Sequence, residues 1–241
     1  MKVKIDNITY VVLLISFLAG YFEYMFLFLL IIFIHESGHV IFGYIVNFKY
    51  SKIIIYPFGG LTIYNEDLNV NSNKELFSLL GGLTFQLIFY FLMVLFHNNM
   101  IITDHVFQII KKINIILLSF NFLPILPLDG GRFLNIILNK LFSYKLSNNL
   151  AIIISIIFII VFIIYNRTYL SIILSLILIK SVIIEIINIK NKYNLFILER
   201  YLKDFNFKHK RYINNINNFK RDYYHYINGV SERYYLYKMF N

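Results

Sequence analysis

The 241 residues contain no cysteine and no tryptophan, only three prolines and ten glycines, and just 15% of them are charged. Without cysteine there can be no disulfide, thiol nucleophile or thiolate metal site, so any metal must be held by His, Asp or Glu. The scarcity of charge excludes an ordinary soluble domain, in which about a quarter of the residues are charged. Apolar residues take their place: 59% of the chain is hydrophobic, and the mean hydropathy is +0.65. The remaining charge is one-sided, with 23 bases against 13 acids and a net charge of +10.

The apolar residues fall into runs. Ile8–Phe22, Tyr24–Val46, Leu76–Phe96, Ile109–Leu126, Asn148–Tyr165 and Tyr169–Ile187 each approach the ~20 residues needed to cross a bilayer. They predict an all-α polytopic membrane protein with six transmembrane helices. Lys2 and Lys4 ahead of the first run resemble a signal peptide, but no small-x-small cleavage site closes it, so it reads as a membrane helix. An even number of spans puts both termini on one side, and the positive-inside tendency makes that side cytoplasmic. Lys49, Lys52, Lys74, Arg132, Lys140 and Lys145 agree with this orientation. Arg167 falls on the opposite side, and Lys111 and Lys112 are discordant.

Two segments depart from ordinary spans. "FKYSKIIIYPFGGLTIY" joins β-forming residues to a Pro-Phe-Gly-Gly break, which predicts a short β-hairpin or re-entrant segment at the membrane face. "NFLPILPLDGG" predicts a broken fourth helix. From residue 188 onward the chain turns basic and tyrosine-rich, with eleven bases, four acids and a net charge of +7. The expected organisation is a membrane domain over 1–190 and a basic cytoplasmic tail over 191–241. That tail suits amphipathic helices on anionic lipid, or a partner surface, better than nucleic acid, because the Asn/Ile/Lys/Tyr enrichment runs through the whole chain.

Chemistry concentrates in His35-Glu36-Ser37-Gly38-His39, within the second run. Residues four apart share a helix face, so His35 and His39 can converge on one metal while Glu36 reaches a water on it. Zinc suits two imidazoles plus a carboxylate with one position left open. Ionisable groups inside a membrane helix are costly, so their presence marks a functional site. Asp129, in the "PLDGG" break, is the candidate third ligand. Asn121 offers a carboxamide donor for an oxyanion or a substrate backbone. His97, Asp104 and His105 read as solvated loop residues, and Gly59, Gly60, Gly81 and Gly82 as turn and packing residues. The expected reaction is peptide hydrolysis with Glu36 as general base. The alternative is a membrane zinc transporter or non-enzymatic scaffold, although a transporter should place ionisable residues along several helices.

His35-Glu36-Ser37-Gly38-His39 together with Asn121-x-x-Pro124-x-x-Pro127-x-Asp129-Gly130 resembles the site-2 protease family of intramembrane zinc metalloproteases (peptidase family M50), over about residues 8–190. The resemblance implies one Zn2+ per chain on His35, His39 and Asp129, Glu36 as catalytic residue and Asn121 in contact with substrate. It also implies a membrane-associated protein substrate, here a sporulation pro-sigma factor, membrane-bound inhibitor proteins, and residence in the membrane around the forespore. "PFGGLTIY" and "LGGLTFQ" resemble the family's membrane-face loop and glycine motif, with Gln86 where asparagine is often seen. Relatives often carry a nucleotide-binding CBS domain, for which the 54-residue tail has no room.

Overall fold

The computed structural model describes residues 3–56, 59–165, 168–205, 207 and 209–240. Lys2, Pro57, Phe58 and Arg167, all used in the sequence reading, lie outside the described residues. The chain forms two compact units, one comprising Met1–Glu66 and Leu76–Phe120, the other Asp67–Glu75 and Asn121–Asn241.

The first unit opens with strand β1 (Val3–Ile5) and helix α1 (Asn7–Leu18), whose N-terminus is capped by the Asp6 carboxylate accepting from Ile8 N. Helix α2 (Phe22–Ile45) follows, then strands β2 (Tyr50–Tyr56) and β3 (Gly59–Tyr64), helix α3 (Ser72–Asn98) and helix α4 (Asp104–Asn121). β2 and β3 pair antiparallel and β1 joins β2 in parallel, giving a sheet in the order β1-β2-β3. Thr9 ties α1 to this sheet by donating to the Ile55 carbonyl at 3.1 Å. The core is aliphatic: Ile31 and Ile32 of α2, Ile53 and Ile55 of β2, and Ile109, Ile110 and Leu117 of α4.

α2 and α3 approach closely because Gly38 faces Gly81; a Cβ on either glycine would run into the other's backbone carbonyl. α4 buries Phe107, Ile110, Asn114 and Leu117 along one face and exposes Lys111 and Lys112 on the other. That one-sided pattern accounts for the two lysines that fit no loop.

The second unit holds helices α5 (Asp129–Leu141), α6 (Tyr144–Tyr165) and α7 (Tyr169–Leu202). α7 runs unbroken through the boundary expected at residue 190. Beyond it the described residues form strands and one short helix rather than a pair of amphipathic helices. Strands β4 (His209–Ile213), β5 (Tyr223–Ile227) and β6 (Val230–Ser231) make a second sheet, followed by helix α8 (Glu232–Phe240). Its core gathers Phe196, Phe219, Ile227 and Leu236. Arg200, 4% exposed, pairs with Glu232 at 3.2 Å and donates to the Lys220, Arg221 and Tyr223 carbonyls, which explains how so basic a segment folds around an aromatic centre.

Among the described residues, four helices are long and apolar enough to cross a membrane: α2, α3, α6 and α7, the last from Ser171 to Leu202. No more than 33% of the apolar window of any of them is buried within the protein, which leaves broad apolar faces for lipid. α1, with 12 residues, is too short for that set, and α4 carries charge on its outer face.

Candidate metal centre

His35 and His39 lie one turn apart on α2, both buried, with ring centroids 4.8 Å apart. Their protonation follows from their partners. Gln86 Nε2 donates to Asn114 Oδ1 at 2.9 Å, leaving Gln86 Oε1 to accept from His35 Nδ1 at 2.9 Å. His39 Nδ1 lies 3.2 Å from the Ser78 carbonyl, which can only accept. Both Nδ1 atoms therefore carry the proton, and both Nε2 atoms turn lone pairs toward one point, 3.1 Å from each other. A cation placed at that point could accept lone pairs from both Nε2 atoms.

Glu36 completes the cluster. One ligand atom from each of His35, Glu36 and His39 fits within a 4.8 Å spread. Thr62 of β3 donates to Glu36 Oε2 at 2.6 Å and fixes that carboxylate oxygen. The other oxygen lies against Gly60, where a Cβ would come 2.6 Å from Oε1. Gly82 keeps the space beside the imidazoles open, since a Cβ there would fall 2.7 Å from His35 Nε2. Two imidazoles with preset tautomers, a carboxylate and a gap kept free of side chain fit zinc.

A further layer holds the α2 backbone. The Tyr64 hydroxyl donates to the His39 carbonyl at 2.5 Å, and Ser78 Oγ donates to the Tyr64 hydroxyl at 3.1 Å. Gln86 and Asn114 are 0% and 1% exposed, and Asn114 Nδ2 has no hydrogen-bond partner.

Thr62, Ser78, Gln86 and Asn114 escape a reading of the sequence because they lie 26 to 51 positions from the residues they hold, or act through a residue that does. Gly60 and Gly82 also leave room for the cluster, since a Cβ at Gly60 would meet the Glu36 carboxyl and one at Gly82 the two imidazoles. The only sequence signal for this layer is Gln86 itself, an amide inside an apolar helix.

Asn121 ends α4 and Asp129 begins α5, so the break between them is residues 122–128, and both residues belong to the second unit. Gly130 and Gly131 stand within α5 rather than in a free turn. Their missing side chains admit the folded-back break, since Cβ atoms there would meet the Phe122, Leu123 and Ile125 backbone. His97 Nε2 hydrogen-bonds Asp104 Oδ1 at 2.6 Å between the end of α3 and the start of α4, and His97 stacks on Phe107. Both stand at helix ends rather than in a loop, and Asp104 is solvent-exposed as expected.

Residues 93–165 match Peptidase family M50. The chain is 24% identical over 152 residues to stage IV sporulation protein FB of Bacillus subtilis, covering 63% of this chain and 53% of that protein. It is 26% identical over 123 residues to a zinc metalloprotease of Methanocaldococcus jannaschii, covering 49% of this chain and 35% of that protein. The chain thus spans about half the length, or less, of the curated relatives it matches. Among solved structures, the site-2 protease from Methanocaldococcus jannaschii superposes with a TM-score of 0.62 at 21% identity, covering 77% of this chain and 91% of that one. That likeness carries the fold.

Proposed function

We propose that the chain is a site-2 protease of peptidase family M50, a reading supported by the matched segment, the curated relatives and the fold, and that it hydrolyses a peptide bond in a membrane-associated regulatory protein. The observation that carries this reading is the pair of Nε2 lone pairs converging at 3.1 Å with the Glu36 carboxylate beside them. We assign His35, His39 and Asp129 as the ligands of one Zn2+, with Asn121 holding the substrate backbone. In the chain's topology this corresponds to six membrane passes, counting α1 and α4, with both termini cytoplasmic. The catalytic part is residues 1–190, and 191–241 is a basic accessory region facing anionic lipid.

Zinc, when bound, supplies a Lewis acid that polarises the scissile carbonyl and acidifies a water. Glu36, one oxygen held by Thr62 and the other facing the Gly60 gap, takes a proton from the attacking water. The same carboxyl then delivers that proton to the departing amide nitrogen, so the base is regenerated and the water is split between the two products. β3 lies at the edge of its sheet, so an extended substrate can add alongside it, next to Thr62 and Glu36.

The substrate we favour is a sporulation pro-sigma factor of the pro-sigma-K type, with membrane-bound inhibitor proteins as partners and the mother-cell membrane around the forespore as the place of action. The likeness to stage IV sporulation protein FB supports this choice. Co-expression of the chain with a candidate pro-sigma factor tests it. Cleavage by the unmodified chain, lost on Asp129→Ala together with part of the bound zinc, supports the assignment. Asp129→Ala leaving both zinc content and cleavage intact contradicts Asp129 as ligand.

A further inference from the structure

We propose that the cavity between the α5–α6 turn and strand β4 binds the phosphate of an anionic lipid headgroup. The proposal deepens the lipid contact inferred above and rests on α6 crossing the membrane, not on proteolysis.

The cavity holds about 400 Å³, within the usual range for a small-ligand site, and all of its lining belongs to the second unit. Leu141, Phe142 and Leu146 line it together with Arg211, Tyr212 and Lys220. No carboxylate lines it, and among the described residues none pairs with Arg211 or Lys220. Lys220 Nζ donates to the Leu141 carbonyl and has two further hydrogens to offer. Its pKa is held below the ordinary lysine value first by burial and then by the nearby Arg211 charge, as expected for two cations sharing a space without a counter-ion. Arg211 adds a planar fork that matches two phosphate oxygens, and the Asn214 and Asn218 carboxamides and the Ser143 hydroxyl supply further donors.

The position in the fold selects a lipid. α6 has 22 residues, about 33 Å of helix against a hydrocarbon core of about 30 Å, so its Tyr144 end lies at headgroup depth. The apolar wall there is open: Leu141 is 60% exposed and Leu146 45%. An anion for this cavity therefore meets both apolar side chains and cations, which suits a headgroup phosphate attached to acyl chains. Lys145, one residue into α6, adds a third positive charge at the same level.

The test uses the 241-residue chain in detergent, given phosphatidylglycerol and phosphatidylcholine in equal amounts, with retained lipid read by native mass spectrometry. The unmodified chain should retain phosphatidylglycerol preferentially. Arg211→Gln should lower that preference about fivefold and Arg211→Gln with Lys220→Gln about thirtyfold, as expected for one and two lost cations at a membrane surface. Lys238→Gln, on α8 and away from the cavity, should leave the preference unchanged. Arg211→Gln alone keeps the test valid if loss of the Lys220 contact to Leu141 disturbs folding. Preference that survives millimolar inorganic phosphate supports a lipid site. Phosphate that displaces the lipid, or loss of equal size in Lys238→Gln, overturns the proposal. A chain that retains neither lipid would instead contradict the membrane reading itself.

Discussion

At the scale of single residues, the centre is set by hydrogen bonds as much as by the ligands themselves. Gln86 accepts from His35 Nδ1 and is in turn oriented by Asn114, so the tautomer of a proposed zinc ligand depends on two amides. Replacing Gln86 with Leu should lower zinc affinity about 10- to 100-fold, the usual cost of losing an outer hydrogen-bond partner. Chelator competition on the purified protein measures this, and Gln86→Asn or Gln86→Glu should recover part of it. The cluster of His35, Glu36 and His39 was legible in the sequence because the two histidines share one helical turn. Their partners were not: Gln86 stood out as an amide in an apolar helix but its bond to His35 did not, and neither did that of Thr62 to Glu36, because a hydrogen bond across 51 or 26 residues leaves no local pattern.

At the scale of elements, the site depends on how closely α3 approaches α2. Gly38 and Gly81 let the helices touch, and Gly82 leaves the volume in front of the imidazoles empty. Gly82→Ala should therefore abolish zinc retention while helix content is kept, since the added methyl falls on His39 and His35 rather than on the helix backbone. Metal analysis beside circular dichroism checks it. If zinc is retained at wild-type stoichiometry, the Gly82 gap is not where the metal sits. The long apolar helices were legible from run length alone. β1 was not, being three residues long and paired with a strand 50 positions away. Nor was the exposed lysine face of α4, because α4 buries only one side and a run-length reading averages over both.

At the scale of the whole molecule, the basic C-terminal region is a folded body rather than a loose charged tail. Arg200, His225 and Glu232 form its buried polar centre, with His225 Nδ1 3.0 Å from Glu232 Oε2 and Lys220 N donating to His225 Nε2 at 3.0 Å. Composition gave the positive charge of this region but not its fold, because the arginine that appears to be surface charge is the one the aromatic residues enclose. Burial holds the His225 pKa below the ordinary 6.5; the Glu232 hydrogen bond opposes this, while Arg200 and Arg211 reinforce it. The unfolded chain therefore takes up a proton before the folded one does. The stability this provides is complete above the unfolded value and is lost as pH falls through the lower folded value. Limited proteolysis within residues 209–240 should accelerate between about pH 7.5 and about pH 5, and His225→Gln should flatten that difference. Glu232→Gln should destabilise this region at neutral pH by about 3–5 kcal/mol, because it leaves Arg200 charged, buried and uncompensated. Chemical unfolding followed by tyrosine fluorescence measures it.

The central claim is that Glu36 moves protons and does not hold the metal. Zinc content and cleavage of a co-expressed membrane-associated substrate, measured together on Glu36→Gln, test it most directly. The expected result is zinc at the level of the unmodified chain with cleavage abolished, because the substitution removes the base and leaves both histidines and their partners in place. Cleavage that persists in Glu36→Gln, or zinc that is lost with it, would contradict the account.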